Sequence, residues 1–436
     1  MSTQISQDSL RRTVGVFGAT LLGLGSILGT GVYFAIPDMS AVAGTSLILP
    51  IIAAAVLATC NALSSAQLAA CYPVSGGTYE YGYKLLSPWV GFAAGWLFLC
   101  AKSASAATAA LQVTANLLPG PAPLPGCGIV AAVALLVICG LRRSTWMNAV
   151  LVTLTITGLL IFAVSAVNGP PDSQNGNETR PGEPVSAAPV PVATNETVVS
   201  SQTLTLQTFL EMAALMFVGF TGYGRVATLG EEIRDPRRNI PVAVVATLSV
   251  STLLYLLVAV AVNHCSSEVA SETTLKSLSS SAGGTVTRLV AVGAVAAMLG
   301  VLLNLILGLS RVVLAMARRS DLPPFLARLN SDRTTPVYAV ALVGIIVTGL
   351  VLMHNSRTTW SLSAVTVLIY YGLTNLAALK LPPEHRIYPR WIAIIGLCGC
   401  LLLAVHIEMK TCLTAGCILL AGLIGRAVAK AFRQNS

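Results

Sequence analysis

Two apolar stretches of helix length in this chain are each broken by glycine near the middle, at corresponding places in its two halves. The first reads Gly23-Leu24-Gly25-Ser26-Ile27-Leu28-Gly29-Thr30-Gly31, the second Phe217-Val218-Gly219-Phe220-Thr221-Gly222-Tyr223-Gly224. Hydrocarbon offers no hydrogen-bond partners, so a membrane span keeps its N–H and C=O groups inside a continuous helix. A break frees several of them. That is tolerable only where they line a polar cavity or hold a ligand. Matched breaks in two halves of one chain therefore point to a ligand site at mid-membrane depth.

Composition supports the membrane premise. Hydrophobic residues make up 55% of the chain and charged residues only 10%, with a mean hydropathy of +0.77. Soluble domains carry about 25% charged residues. The class is an all-α integral membrane protein, expected in the cell (plasma) membrane. A span takes roughly 20 apolar residues, so residues 1–436 form one membrane domain. Twelve apolar segments are predicted, at roughly 15–43, 46–70, 89–117, 126–141, 146–168, 206–229, 241–263, 286–315, 337–354, 360–380, 390–407 and 411–429.

The net charge of +9 does not mark a nucleic-acid binder. The cations fall in short loops on alternate sides of the spans, as the positive-inside rule expects. Arg142-Arg143, Arg237-Arg238, Arg318-Arg319 and Lys430 share a side with Arg11-Arg12. Both termini are therefore expected in the cytoplasm. Residues 169–203 form a long polar loop on the outer side, with Asn177 and Asn195 in glycosylation-acceptor form. Residues 71–88 are semi-polar and glycine-rich, and are expected to be re-entrant or interfacial. Most cysteines lie in apolar stretches, where they pack as small hydrophobes. Cys127 and Cys265, near outer ends, leave a disulfide open. No metal-type spacing and no nucleophile–base set is present, so no metal, no cofactor and no enzyme activity is expected.

Gly25, Gly29 and Gly31 let the backbone leave the helix without steric cost. Past the first break the helix restarts with N–H groups that have no intrahelical partner, a setting that suits a carboxylate. Thr30 adds a hydroxyl, and the carbonyls near Ile27 are freed for an ammonium group. The second break offers the same at Val218, Phe220 and Thr221, around Gly222. One zwitterion is then held by backbone alone. The alternative is that these glycines only let helices pack closely.

Lys102 lies at membrane depth in the third segment, a placement that costs roughly 2.5–3.5 kcal/mol on insertion scales. It reads either as a proton-exchanging group or as a structural cation. Arg225 directly follows the second break, positioned to meet a substrate carboxylate or to pair with Glu231 or Glu232. Glu231 opens a mixed-charge run to Pro241, which suits an ion-pair gate or a solvated turn. Asn304 and Ser310 lie deep in the eighth segment. They either line an ion site against the first span or bond the preceding helical turn.

At these residues the chain resembles the amino acid–polyamine–organocation superfamily, especially its cationic-amino-acid-transporter-like permeases. The stretches that carry the resemblance are Gly25-Ser-Ile-Leu-Gly-Thr-Gly-Val-Tyr33, Tyr72-Pro-Val-Ser-Gly-Gly-Thr-Tyr79, Gly91-Phe-Ala-Ala-Gly-Trp96, Ala227 through Pro241 and Ser310 through Arg318. The resemblance implies a LeuT-like fold of 12 transmembrane helices. Two inverted repeats of five (about 13–168 and 204–380) are followed by two further helices (about 390–430), with spans one and six broken. It implies that Thr30 and Gly31 take a substrate carboxylate, while carbonyls near Ile27, Val218 and Thr221 take the amino group. It further implies a secondary transporter of amino acids, working by alternating access, proton-coupled or exchanging. Its partners are then substrate, protons and lipid, as monomer or homodimer. A transport-inactive sensor or partner-dependent subunit of the same fold is the alternative. Many relatives carry an acid at Gly224, and some a lysine in span five. Residues 146–168 contain no lysine, which leaves Lys102 as the candidate substitute.

Overall fold

The computed structural model describes residues 14–43, 47–74, 76–118, 122–139, 144–168, 205–228, 233–265, 275–279, 283–330, 335–353 and 355–434. Among them the structure is helical, with one isolated bridge between Val14 and Ile233. The first half runs α1 (Val16–Ile27), a π-helical turn (Gly31–Ala35), α2 (Ile36–Ala43), α3 (Ile48–Cys71), α4 (Thr78–Leu85), α5 (Pro88–Leu117), α6 (Pro123–Ile138) and α7 (Ser144–Asn168). The second half runs α8 (Leu206–Phe220), a 3-10 turn (Thr221–Tyr223), α9 (Gly224–Thr228), α10 (Pro236–Cys265), α11 (Leu275–Leu278), α12 (Gly284–Arg318), α13 (Val337–Leu352), α14 (Ser356–Leu379), α15 (Arg390–Ala404) and α16 (Met409–Gln434).

Eight of these segments are long and apolar enough to cross a bilayer, counting Val16–Ser40 through its break. α6, α13 and α15 are shorter apolar helices. Local signals set several starts. Ser87 Oγ accepts the Val90 N–H at 3.3 Å with Pro88 in the first helical position, and Asn355 Oδ1 accepts the Thr358 N–H at 2.9 Å. The semi-polar stretch after α3 is largely helix α4. It is entered through Gly76 and Gly77 at φ of +118° and +56°, which a side chain rarely tolerates.

α5 carries a buried polar stripe that the hydropathy pattern conceals. Ser105 bonds Ser363 and Thr108 bonds Thr359, each at 2.7 Å, tying α5 to α14. Asn375 of α14 donates to Asn61 of α3. Such bonds join helices where lipid offers no competing partner. Around the two breaks, Tyr33, Phe217, Phe220, Tyr223, Tyr255 and Tyr371 are all fully buried. Cys127 is a free thiol. Glu231, Asn177, Asn195 and the 169–203 loop lie outside the described residues.

Candidate functional site

Both helices leave regular α geometry where glycine predicted it, but in different ways. α1 ends at Ile27, turns through Leu28 and Gly29, and resumes as a π-helical turn. α8 ends at Phe220 and tightens into a 3-10 turn before α9. The second break is a tightening rather than an unwinding. The two breaks touch each other. A Cβ on Gly31 would sit 2.7 Å from Gly219 Cα, and a Cβ on Gly222 would overlap the Ser26 carbonyl group. Close packing, the alternative reading of these glycines, is thus one of their roles.

The freed backbone groups divide into two sets. The main-chain N–H groups of Gly29, Thr30 and Gly31 have no backbone acceptor among the described residues. Carbonyls, in contrast, have found donors. Tyr255 Oη lies 2.8 Å from Ile27 O and 3.1 Å from Gly219 O, so the single proton of one hydroxyl from α10 is shared between both breaks. Val218 O accepts the Thr221 hydroxyl at 2.7 Å, and Thr221 O accepts the Tyr371 hydroxyl at 3.2 Å. Asn304 Nδ2 donates to Gly25 O at 3.3 Å and to Asn148 Oδ1 at 3.0 Å, while Asn148 Nδ2 donates to Leu21 O at 2.8 Å. Buried carbonyls must be satisfied even without a ligand. Ile27 O keeps a second lone pair, whereas Val218 O and Thr221 O each also accept a main-chain N–H, from Thr221 and Gly224.

Lys102 Nζ donates to Thr221 Oγ1 at 2.7 Å, directly at the second break. The lysine is 5% exposed, and no described carboxylate lies within 4.0 Å of it. Arg225 lies across from α12 at Gly308, where an added Cβ would be 3.5 Å from its Nη1. Lys102, Arg225, Ser26, Thr221, Gly222 and Asn304 line one cleft of about 20 Å³. That holds about one water and is too small for an amino acid, so the structure is a closed arrangement. Val14 O accepts the Arg234 N–H at 2.9 Å, joining the start of α1 to the chain beyond α9.

Of the other predicted residues, Ile27, Gly29, Thr30, Gly31, Val218, Phe220 and Ser310 do not line this cleft. Phe220 packs its ring on Tyr255, with centroids 4.9 Å apart. Ser310 Oγ donates to Leu307 O at 3.0 Å, bonding its own helix. Gly224 faces the Tyr371 hydroxyl, 2.7 Å from where a Cβ would be, so that hydroxyl fills the space a side chain would need. Sequence reasoning missed Tyr255, Tyr371 and Asn148. A lone tyrosine or asparagine inside an apolar run was the available signal, because a buried polar tip needs a partner. Tyr255→Phe removes the one donor that the two carbonyls share. It is expected to destabilise the protein by about 1–3 kcal/mol, seen as a lower melting temperature in detergent. Tyr338→Phe, at a half-exposed position, should leave that temperature unchanged.

The fold and site define a polytopic helical membrane protein with two interrupted helices crossing at a buried polar cleft. The chain belongs to the amino acid permease family, whose model matches residues 14–410. It is 35% identical over 433 residues to an uncharacterized transporter of Mycobacterium tuberculosis, covering 98% of this chain and 94% of that one. A methylthioribose transporter of Bacillus subtilis is 26% identical over 415 residues, covering 88% and 84%. A branched-chain amino acid permease of the same organism is 28% identical over 375 residues, covering 78% and 74%. The superfamily resemblance in the sequence stands, and the chain is a transporter-family protein.

Proposed function

We propose that this protein carries a neutral amino acid across the plasma membrane by alternating access. In this reading the chain crosses twelve times as two inverted repeats of five plus two helices, with both termini in the cytoplasm. The N–H groups of Gly29, Thr30 and Gly31 take the substrate carboxylate. The Ile27 carbonyl takes its ammonium group through a second lone pair, and the Val218 and Thr221 carbonyls take it when the Thr221 and Tyr371 hydroxyls turn away from them. One observation carries the reading. Three main-chain N–H groups without backbone acceptors among the described residues stand at the crossing of two broken helices, with a buried lysine beside it. The cleft lining includes Lys102 and Arg225 and no acidic residue, which disfavours a cationic side chain. The family supports an amino acid as substrate, and the branched-chain relative supports a neutral one.

Opening requires the helices to separate, beginning at the Val14–Ile233 bridge on the side assigned to the cytoplasm. Intramembrane ionisable groups mark proton pathways, and Lys102 is the buried one at the break. Uptake of labelled neutral, acidic and cationic amino acids into proteoliposomes, with and without a pH gradient, tests the reading. Accumulation of a neutral substrate is expected; binding without accumulation would mark a sensor. Lys102→Met is expected to abolish the gradient dependence. Gradient-driven uptake that survives this change removes Lys102 from coupling.

A further inference from the structure

A second cavity, of about 750 Å³, opens on the outer surface of the bundle between α3, α10 and α15. Ile52 and Val56, Val245 and Leu253, and Trp391 and Ile392 form its walls, and none of its lining residues is charged. Val56, Leu253 and Trp391 are each more than half exposed, as side chains facing lipid are. Along α10 the lining runs from Val245 to Leu256. At 1.5 Å per residue that is about 17 Å, close to the depth of one leaflet of a bilayer core about 30 Å thick. The groove thus matches a single acyl chain in length and polarity.

Its two ends differ. Arg238 precedes Val245 by seven residues, which puts it on the same face of α10, about 10 Å further along the axis. Arg390 directly precedes Trp391 at the start of α15. Both arginines are exposed. The segment leading into α15 is held against the end of α3. Tyr388 N–H donates to Gln67 Oε1 at 3.3 Å, and Cys71 Sγ lies 3.1 Å from His385 O. Those contacts fix Arg390 and Trp391 at the foot of the groove, where α10 presents Arg238. A guanidinium matches phosphate oxygens in a bidentate fork. Tryptophan favours the headgroup level.

We propose that this groove is a binding site for an anionic phospholipid, one acyl chain lying between α3, α10 and α15 and the phosphate meeting Arg238 and Arg390. The inference requires only that the chain spans a bilayer, and stands apart from the substrate reading. It also gives lipid a route to the transport site. α10 carries Tyr255, between Leu253 and Leu256 of the groove wall, and Tyr255 bridges the two broken helices.

The test is native mass spectrometry of the full-length protein released from micelles containing phosphatidylglycerol or phosphatidylcholine of matched chains. Wild type should retain phosphatidylglycerol in preference by about tenfold, two surface guanidiniums being involved. The R238Q/R390Q protein should lose that preference while keeping its lipid-free melting temperature, since both positions are exposed. Val56→Trp, which fills the groove from a lipid-facing position, should reduce retention of both lipids. Millimolar inorganic phosphate should displace neither. Equal retention of the two lipids by wild type overturns the proposal. So does a preference that survives R238Q/R390Q, or retention unchanged in Val56→Trp.

Discussion

Arg426→Ala is expected to lower the melting temperature in detergent more than any other single side-chain truncation outside the two breaks. The Arg426 and Asp321 side chains are 1% and 4% exposed, with Nε to Oδ1 at 3.0 Å. The guanidinium also donates to Pro88 O at 2.6 Å and to the Tyr83 hydroxyl, and it lies 4.9 Å from the ring centroids of Trp89 and Phe92. Asp321 in turn accepts from the Tyr79 hydroxyl at 2.9 Å and from Tyr83. One arginine therefore ties α16 to α4, to the start of α5 and to the turn after α12. Removing one member of a buried pair leaves the other charge without compensation, at about 3–5 kcal/mol. The double variant Arg426→Met/Asp321→Leu should melt above Arg426→Ala, because no orphan charge remains. Arg319 and Glu80 provide the contrast. That pair is bidentate, unlike Arg426 with Asp321, and its hydrogen bonds push the Arg319 guanidinium further above its ordinary pKa. The arginine is 38% exposed, however, and Arg319→Ala should cost about 1 kcal/mol or less. Equal melting temperatures for Arg426→Ala and Arg319→Ala would refute this ranking.

The contrast also marks how far the sequence could be read. Helix breaks were legible because they are local. Gly29 sits where a span should be continuous, and Gly222 does the same in the other half. Lys102 was legible as a buried cation in an apolar helix. What could not be read is which distant group answers each freed carbonyl. Tyr255 lies 228 residues from Ile27, and Arg426 lies 338 from Pro88. Nothing in the local pattern around Tyr255 separates it from any other tyrosine in an apolar helix. The difference in geometry between the two breaks was hidden for the same reason. Both breaks have glycine and a threonine, yet one becomes a π-helical turn and the other a 3-10 turn, and at the second Lys102 and Tyr371 engage Thr221. No bond of that kind holds Thr30 among the described residues. The hydroxyl ladder between α5 and α14 was hidden because serine and threonine in an alanine-rich helix scarcely change its hydropathy.

Gly31→Ala and Gly222→Ala should reduce uptake to below about a tenth of wild type, the effect of roughly 1.4 kcal/mol against the closed crossing. A Cβ at Gly31 would come 2.5 Å from Tyr255 Oη and 2.7 Å from Gly219 Cα. At Gly222 it would meet the Ser26 main chain. Side chains can turn aside from such an intrusion; main chain on an opposing helix cannot. Overpacking of this sort costs about 1–3 kcal/mol. It would fall on the contact between the two broken helices, whose freed N–H groups stand one residue away. Gly349 in α13 is the control, since a Cβ there would meet nothing within 4 Å. Alanine at that position gains about 0.5–1 kcal/mol of helix stability, so Gly349→Ala should transport normally and melt no lower. The comparison separates a steric demand from a conformational one, as alanine is a better helix former than glycine at all three sites. If Gly31→Ala and Gly222→Ala transport as well as Gly349→Ala, the two helices need not touch during the cycle, and a substrate cradle formed by their contact is excluded.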